Sequence, residues 1–310
     1  MNNKIPVKLI PALKDYLWGG DRLKKDYGIE SDLPIVAEAW VLSCHPDGPS
    51  VVANGEYAGL TLPQMIEKAG TDILGTRGKS FEFFPILVKL IDAKGNLSIQ
   101  VHPSDEYALK NEGQYGKTEM WYVVDCDKDA YLYYGFDHKI SREEFKERIE
   151  NDTLLEVLNR VPVKKGDCFF IESGTIHAIA KGLLIAEIQQ NSNLTYRVYD
   201  YVRRDKNGNP RELHVEKAMK VTTLDRPQIP YGQPKSDRLA QCKYFTVDRI
   251  RLDGEREITV DDESFLSLLC LEGSAEIGGV SLKKGESVFL PASMGKLTLK
   301  GHALLISSRV

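Results

Sequence analysis

The 310-residue sequence has few of the features that mark exported, membrane-spanning or nucleic-acid-binding proteins. Its first residues do not form an apolar leader, and no apolar run approaches the ~18–20 residues that span a bilayer. The five cysteines are widely spaced and include no Cys-x-x-Cys pair, which argues against a disulfide framework. The net charge is only −4, and no basic stripe is present. We therefore expect a cytoplasmic protein that binds neither membranes nor nucleic acid.

Short strand-like segments make up much of the sequence. They are rich in β-branched and aromatic residues and are separated by Gly, Pro, Asn and Asp, which is typical of an antiparallel barrel or sandwich. The predicted strands include Ile35–Ser43, Ile86–Ile91, Leu97–Val101, Met120–Asp125, Ala130–Tyr134, Cys168–Ile171 and Leu183–Gln189. Two segments instead begin with capping residues and predict helices, Thr61–Leu74 and Ser141–Arg160. The sequence thus predicts a mainly β protein with helical additions.

An internal similarity divides the chain into two β regions. The segment Lys164–Ile171 (KKGDCFFI) resembles Lys283–Leu290 (KKGESVFL), and in this register His177 falls opposite Lys296. Between the two copies, residues 225–238 carry three prolines and several polar residues, as linkers do. We predict a larger domain over residues 1–235 and a smaller one over 236–310, in which the turn and strand are kept but the histidine is lost.

Four potential metal ligands lie in three short segments of the larger region. Gln100 and His102 are two residues apart on a predicted strand, so their side chains share one face. Glu119 opens another strand, and His177 lies in a turn after Cys168–Ile171. Two imidazoles, one carboxylate and one amide oxygen suit a divalent transition metal with a position left open for substrate. These donors fit zinc, and they also fit iron in an oxygenase.

The spacing Gly166-x5-Glu172-x-Gly174-x2-His177 resembles the second metal-binding motif of the cupin superfamily, with Glu172 where proline is common. Further segments make the chain similar to one cupin family in particular, the type I mannose-6-phosphate isomerases in their short bacterial form. These segments are Leu97–Pro103 (LSIQVHP), Lys117–Tyr122 (KTEMWY), Gly174–Ala178 (GTIHA) and Ala186–Tyr201 (AEIQQNSNLTYRVYDY). They are specific as a set, and the resemblance extends over roughly residues 1 to 225.

This resemblance implies a fold, an activity and a ligand set. The implied fold has two cupin (jelly-roll) β-barrels, the first metal-binding and the second smaller and degenerate. The implied enzyme binds one Zn²⁺ per chain and interconverts mannose 6-phosphate and fructose 6-phosphate through an enediolate. Its implied partner is a small sugar phosphate, and the sequence does not define an oligomeric state. The implied zinc ligands are Gln100, His102, Glu119 and His177.

Three further residues are candidates for proton transfer and charge stabilisation. By resemblance Arg197 is catalytic, because an arginine stays protonated and can stabilise an enediolate; the alternative is a structural pair with Asp200 or Glu187. Lys117 precedes Glu119 by two residues and is expected to contact substrate or tune a titrating group, unless it is an exposed turn lysine. Glu187 lies on an apolar strand and is a candidate proton carrier or a partner of a histidine. The identity of the general base is left open.

The sequence marks the substrate-binding residues less clearly. Arg22, Lys94 and the turn Trp18–Gly20 are candidates for contacting a phosphate, but none has the spacing of a phosphate loop. Trp40 and Trp121 are expected to be wall or core residues rather than platforms on which a sugar stacks.

Three other functions are compatible with the same residues. One is another metal-dependent cupin enzyme, including an iron dioxygenase built on two histidines and a carboxylate. The second is a non-catalytic cupin that binds sugar phosphates, and the third is an isomerase of unphosphorylated mannose. The segment Ile188–Asp200 favours the phosphosugar isomerase, because it resembles that family alone.

Overall fold

The computed structural model describes residues 5–204 and 208–310 and is mainly β, as predicted. Its strands are β1 (Val7–Ile10), β2 (Ala12–Lys14), β3 (Glu38–Leu42), β4 (Val51–Val52), β5 (Ile86–Ala93), β6 (Ile99–Val101), β7 (Glu119–Cys126), β8 (Tyr131–Phe136), β9 (Leu158–Pro162), β10 (Cys168–Ile171), β11 (His177–Ile179), β12 (Leu183–Gln190), β13 (Tyr196–Tyr199), β14 (Arg238–Gln241), β15 (Thr246–Val260), β16 (Leu266–Ile277), β17 (Val280–Lys283), β18 (Ser287–Leu290) and β19 (Gly295–Arg309). The predicted strands are all present, with ends shifted by up to three residues.

Short helices connect these strands. The α-helices are α1 (Arg22–Lys25), α2 (Leu62–Ala69), α3 (Gly75–Gly78), α4 (Asp105–Asn111), α5 (Arg142–Glu150) and α6 (Val215–Val221), and 3₁₀ turns cover Thr71–Leu74 and Leu154–Val157. Within the two described ranges, no helix is long and apolar enough to cross a membrane.

The strands form three antiparallel sheets. A six-stranded sheet has the order β10-β7-β12-β5-β3-β2, and a five-stranded sheet has the order β13-β6-β11-β8-β9. The third sheet has eight strands and contains all the C-terminal strands together with β1 and β4. Among the described residues no sheet closes on itself, so the prediction of two closed barrels is not confirmed. The layers bury one another by face-to-face packing, which does not require their edge strands to pair.

The six- and five-stranded sheets pack through alternate side chains. Trp121 on β7 and Ile185 on β12 share one apolar cluster with Leu132 on β8 and Ile179 on β11. The neighbouring residue Met120 points to the opposite face of β7 and belongs to a different cluster. Every second side chain of these strands therefore lines the space between the two sheets.

The N-terminal strand belongs to the C-terminal sheet. β1 pairs with β18, with Val7 opposite Phe289, and β4 extends the same sheet beyond β1. The buried Ser287 hydroxyl donates a 2.6 Å hydrogen bond to the carbonyl of Val41 on β3. Val41 and Phe289 also share one buried apolar cluster. The two regions are therefore joined by backbone pairing and by a common core.

The second predicted helix is only half helical. Ser141 accepts a hydrogen bond from the Glu144 N–H and caps α5, as its sequence predicts. The helix ends at Glu150, and Asp152 has a left-handed φ of +56°. Leu158 then begins β9, which pairs with β8. The prediction of a helix as far as Arg160 is wrong, because pairing with the sheet outweighs helix propensity in this segment.

The first predicted helix is also shorter than its segment. Thr61 and Gln64 exchange hydrogen bonds in a capping box at the start of α2. The helix ends at Ala69 because Gly70 takes a left-handed φ of +85°. A separate 3₁₀ turn then covers Thr71–Leu74.

The internal similarity corresponds to two equivalent turn-and-strand units. Gly166 and Gly285 both have positive φ, +90° and +87°. In each unit the next residue, Asp167 or Glu286, accepts the backbone N–H three positions before it at 2.8 Å. β10 follows the first turn and β18 follows the second.

The second unit has no ligand at the position of His177. Lys296 occupies that position on β19, is exposed and pairs with Glu257. The interior of this region is filled instead by apolar side chains such as Leu268 and Val288. Its role in the structure is therefore packing.

We expect removal of residues 236–310 to destabilise the rest of the chain. The truncation would expose the edge of β1 and the core around Val41, because both are covered by β18. Thermal unfolding should lose cooperativity and limited proteolysis should accelerate. A full chain nicked within residues 225–235 keeps both parts and is the matched control. A truncated protein that unfolds at the same temperature as the full chain would contradict this account.

Candidate metal centre

The four candidate ligands come from two sheets and meet between them. On the five-stranded sheet, Gln100 in β6 lies directly opposite His177 in β11. His102 follows β6 and lies on the same face as Gln100. Glu119 is the first residue of β7 in the six-stranded sheet. The two histidines and the carboxylate are at most 1% exposed, so the structure brings the predicted ligands together in a dry interior.

The donor atoms are spaced as a small divalent ion requires. His177 Nε2 lies 3.3 Å from Glu119 Oε1, and His102 Nε2 lies 3.6 Å from Glu119 Oε2. Donors around a tetrahedral zinc with bonds of about 2.0–2.1 Å are about 3.3–3.4 Å apart. Neither oxygen of Glu119 accepts a well-aligned hydrogen bond from the described residues. A metal ion would satisfy this buried carboxylate, so the three side chains fit one.

Both imidazoles are held so that Nε2 is the unprotonated nitrogen. His102 Nδ1 lies 2.7 Å from the Leu194 carbonyl, and His177 Nδ1 lies 2.8 Å from the Thr175 carbonyl. A carbonyl accepts only from a protonated nitrogen, so each ring carries its proton on Nδ1. Burial lowers the pKa of His177 to about 4. Burial and the charge of Lys117 hold the pKa of His102 well below its usual range, so both rings are neutral at pH 7.

Gln100 connects the ligands to Arg197. β13 pairs with β6 so that Arg197 lies opposite Gln100, on the face that carries His177. The Gln100 amide nitrogen lies 3.4 Å from His177 Nε2, while its oxygen accepts from Ser98. Ligation through the oxygen therefore requires the amide to turn over.

Arg197 does not form the predicted alternative ion pair. Its Nη1 donates to the Glu212 carbonyl at 2.8 Å, and its buried Nε has no partner among the described residues. Asp200 instead binds Arg203 and Arg211. The structural pairing of Arg197 with Asp200 or Glu187 is thus wrong, and its guanidinium lines the cavity beside the ligands.

Lys117 is a buried residue of this centre rather than an exposed turn lysine. Its side chain is 5% exposed, and Nζ lies 2.7 Å from Glu119 Oε2 and 3.2 Å from His102 Nε2. The same nitrogen lies 3.8 Å from Glu187 Oε1. Lys117 therefore places a positive charge between two carboxylates at the edge of the candidate metal position.

The two carboxylates of the centre have opposite electrostatic environments. Burial and the neighbouring charge of Glu187 raise the pKa of Glu119 to about 7. Burial also disfavours ionised Glu187, but Lys117, Lys89 and a 2.8 Å hydrogen bond from Trp121 Nε1 outweigh it and lower the pKa to about 2. Glu187 is therefore ionised, and its partners are lysines and an indole rather than a histidine.

The structure adds Lys89 and Glu38 to the predicted residues. Lys89 Nζ lies 3.3 Å from Glu187 Oε1 and 3.6 Å from Glu38 Oε2. Burial opposes its charge, but Glu38 and Glu187 outweigh burial and raise the pKa of Lys89 above its ordinary value. Glu38 also accepts from Trp40 Nε1 at 2.6 Å. The sequence signal was a single lysine in the apolar strand ILVKLI.

Both candidate tryptophans are buried, and Arg22 is bound within the fold. Trp40 and Trp121 are at most 1% exposed and confirm the prediction of wall or core residues. Arg22 binds Asp92 and the Leu183 carbonyl, so it is engaged in holding the fold. Gly20 packs so closely that a Cβ there would lie 2.3 Å from Asp92 Oδ2. Arg22 and Lys94 do not line the cavity beside the ligands, and of the turn only Trp18 does.

A cavity of about 260 Å³ opens beside the candidate ligands. Its charged and amide lining residues are Glu38, Lys89, Gln100, Lys117, Glu187, Asn193, Arg197 and Arg211. A larger cavity of about 850 Å³ shares only Asn193 with it and contains none of the four ligands. The chemistry of the donors therefore selects the smaller cavity as the candidate active site.

Two family models match the chain. The first, described as the catalytic domain of type I phosphomannose isomerase, matches residues 7–131. The second, described as the cupin domain of mannose-6-phosphate isomerase, matches residues 235–310.

Similar proteins match nearly the whole chain. Mannose-6-phosphate isomerase ManA of Bacillus subtilis is 39% identical over 319 residues, covering 98% of this chain and 99% of the relative. Mannose-6-phosphate isomerase of Streptococcus mutans is 36% identical over 312 residues, covering 98% of each. The crystal structure of mannose 6-phosphate isomerase from Bacillus subtilis superimposes with a TM-score of 0.87 at 38% identity, covering 99% of this chain and 100% of that one.

Replacement of His177 by alanine should remove most of the metal affinity. Loss of a residue that only supports a ligand costs roughly 10–100-fold, and loss of a ligand should exceed about 100-fold. Competition with a chromophoric chelator measures the affinity directly. The control is His302→Ala, because His302 is exposed and pairs with Asp253. Retention of one zinc per chain at unchanged affinity would remove His177 from the ligand set.

Replacement of Lys89 by methionine should destabilise the metal-free protein. The change leaves Glu38 and Glu187 buried without their shared cation, and breaking such a contact costs about 3–5 kcal/mol of unfolding free energy. Urea unfolding measures the loss, and the exposed Lys68→Met is the matched control. The second change Glu38→Gln should recover part of it. An unchanged urea midpoint for Lys89→Met would show that the cation is dispensable.

Proposed function

Because the chain belongs to the type I mannose-6-phosphate isomerase family, we propose that it is a zinc-dependent isomerase of mannose 6-phosphate and fructose 6-phosphate. One observation carries the proposal. The buried cluster His102, Glu119 and His177 contacts Gln100 and Lys117, and these two line a cavity that also holds a second lysine, two arginines and two further carboxylates. An aldose–ketose isomerase needs these groups together, because it moves a proton and stabilises the negative charge of an enediolate.

We propose that one zinc ion is held by His102, Glu119 and His177, with Gln100 as a fourth ligand after its amide turns over. Zinc is favoured by the neutral imidazoles and by the donor spacing of 3.3–3.6 Å. When bound, the ion supplies a Lewis acid that polarises substrate oxygens. Gln100 lines the cavity, where the substrate would lie.

Lys117 and Glu187 are the groups that we assign to proton transfer. Both line the cavity, and their charged atoms are 3.8 Å apart. Glu187 alone is a weak base, because Lys117 and Lys89 lower its pKa. If Lys117 turns to donate to a substrate oxygen, Glu187 loses one of the two cations and becomes more basic. The pair would then move a proton between the two carbon atoms of the substrate in this cavity.

Arg197 is assigned to the negative charge of the enediolate. Its place opposite Gln100 sets the guanidinium beside the ligands, and its Nε is unpartnered within the described ranges. A guanidinium remains charged and offers fixed donors to an oxyanion. Arg211 lines the same cavity and is held by Asp200, so we assign it to the substrate phosphate.

We also propose that residues 1–235 form the catalytic unit and residues 236–310 a degenerate C-terminal unit, both of cupin (jelly-roll) descent. The equivalent turns at Gly166 and Gly285 support a repeat. The apolar interior of the second unit supports its lack of a metal site.

The proposed reaction is tested by following fructose 6-phosphate in a coupled assay on zinc-loaded protein. We expect turnover of mannose 6-phosphate and little turnover of mannose, because Arg211 has no phosphate to bind in the free sugar. Equal turnover of both sugars would favour a mannose isomerase. Oxygen uptake with bound iron would favour a dioxygenase, and tight binding of mannose 6-phosphate without turnover would favour a binding protein.

Replacement of Arg197 by alanine should lower kcat by about 100–1,000-fold, the usual cost of removing one donor from an oxyanion. Zinc content and melting temperature should not change, since the arginine makes no ion pair in the described structure. Steady-state kinetics measure the effect. Arg160→Ala is the control, because Arg160 lies on the exterior and stacks on Tyr131. An unchanged kcat would remove Arg197 from the mechanism.

A further inference from the structure

Gln189 is a fully buried amide next to the candidate metal centre that none of the steps above uses. It lies on β12 directly opposite Glu119 on β7, so the two side chains share the inner face of the six-stranded sheet. It is absent from the cavity lining. Like the buried ligands His102, Glu119 and His177, it therefore lies behind the cavity wall, beside Glu119.

The Gln189 side chain is bound to the turn that follows its own strand. Its amide nitrogen donates to the Gln190 carbonyl at 2.7 Å and to the Ser192 carbonyl at 2.6 Å. Both donors of the amide are used, which fixes its orientation. The Oε1 atom then has no hydrogen-bond partner among the described residues. A buried acceptor without a partner costs folding free energy. We therefore expect Gln189 to be retained for a function other than stability.

The same turn orients a candidate ligand. The Ser192 N–H donates to the Gln190 carbonyl at 2.7 Å, and the Leu194 N–H donates to the Ser192 hydroxyl at 3.3 Å. The Leu194 carbonyl in turn accepts from His102 Nδ1 at 2.7 Å. This bond keeps the proton on Nδ1 and leaves Nε2 unprotonated toward Glu119.

We propose that Gln189 is a positioning residue for the metal centre, which fixes the turn of residues 190–194 and through the Leu194 carbonyl sets the orientation and tautomer of His102. The inference rests on the metal site of the proposed function. It assigns a role in metal affinity to a residue that touches neither metal nor substrate. The buried amide is suited to this role because two bonds from one side chain restrain two carbonyls of the same turn.

The test measures zinc affinity of Gln189→Met, which keeps the length of the side chain but removes both donors. We expect an affinity 10–100-fold below that of the unmodified protein, as for other residues that support a ligand. With saturating zinc, kcat should recover and KM should change little. The nitrogen-15 spectrum of His102 should lose the signature of a hydrogen-bonded Nδ1–H. A role in stability alone would change neither the tautomer nor the zinc affinity of the folded protein.

Two further variants keep the test decisive. Asn54→Leu is the matched control, because Asn54 is also an amide that bridges two backbone groups, remote from the centre. It should leave zinc affinity unchanged. Ser192→Ala removes the hydroxyl that accepts from the Leu194 N–H and should weaken zinc binding in the same direction. If Gln189→Met does not fold, zinc binding by Ser192→Ala provides the test instead.

The outcomes separate this inference from the proposed function. Wild-type affinity in Gln189→Met, or in Ser192→Ala where Gln189→Met does not fold, overturns the positioning role while the metal site stands. Failure of the unmodified protein to bind zinc overturns both. In the double variant, Gln189→Met with Ser192→Ala, zinc affinity should fall by less than the product of the two single losses. Such a result supports action of both side chains through one shared turn.

Discussion

The site depends on the burial of several charged groups in the space between two sheets. A buried charge is costly unless a partner of opposite charge or a hydrogen-bond donor compensates it. Glu187 has Lys89, Lys117 and the Trp121 indole as such partners. The oxygens of Glu119 and the two imidazole Nε2 atoms approach one another at 3.3–3.6 Å, although all of them are acceptors, and Lys117 contacts only one side of this group, at Glu119 Oε2 and His102 Nε2. A divalent cation would resolve this crowding, so the surrounding strands are arranged around a metal position.

The sheets that provide this space are stabilised from outside the site. β1 starts the chain but pairs with β18, and the buried Ser287 hydroxyl binds the carbonyl of Val41. β3, which contains Val41, also carries Glu38 at the cavity. The C-terminal region therefore contributes to the centre indirectly, by fixing the strands that hold its acidic residues. A region that has no ligand of its own can be retained for this structural role.

Local sequence patterns predicted most of the strands and the candidate ligands. The two-residue period of β6 puts Gln100 and His102 on one face, and glycine-marked turns identified the two equivalent units, so four candidate ligands could be named from the sequence. The remaining features depend on pairing between distant segments, which no local pattern records. The alignment of Lys89 with Glu187 and of Gln189 with Glu119 follows from the register of β12. The end of α5 at Glu150 and the open edges of the sheets were missed for the same reason, because tertiary packing decides both.

The most direct test of the account is a zinc titration of metal-stripped protein, with turnover of mannose 6-phosphate followed at each addition. We expect no turnover without metal and a linear rise that ends at one zinc per chain, because residues 5–204 and 208–310 contain one such buried cluster, His102, Glu119 and His177. Full turnover by the stripped protein would contradict the account. A titration that saturates zinc binding at one ion per chain without any turnover would contradict it equally, because the metal would then have a structural role only.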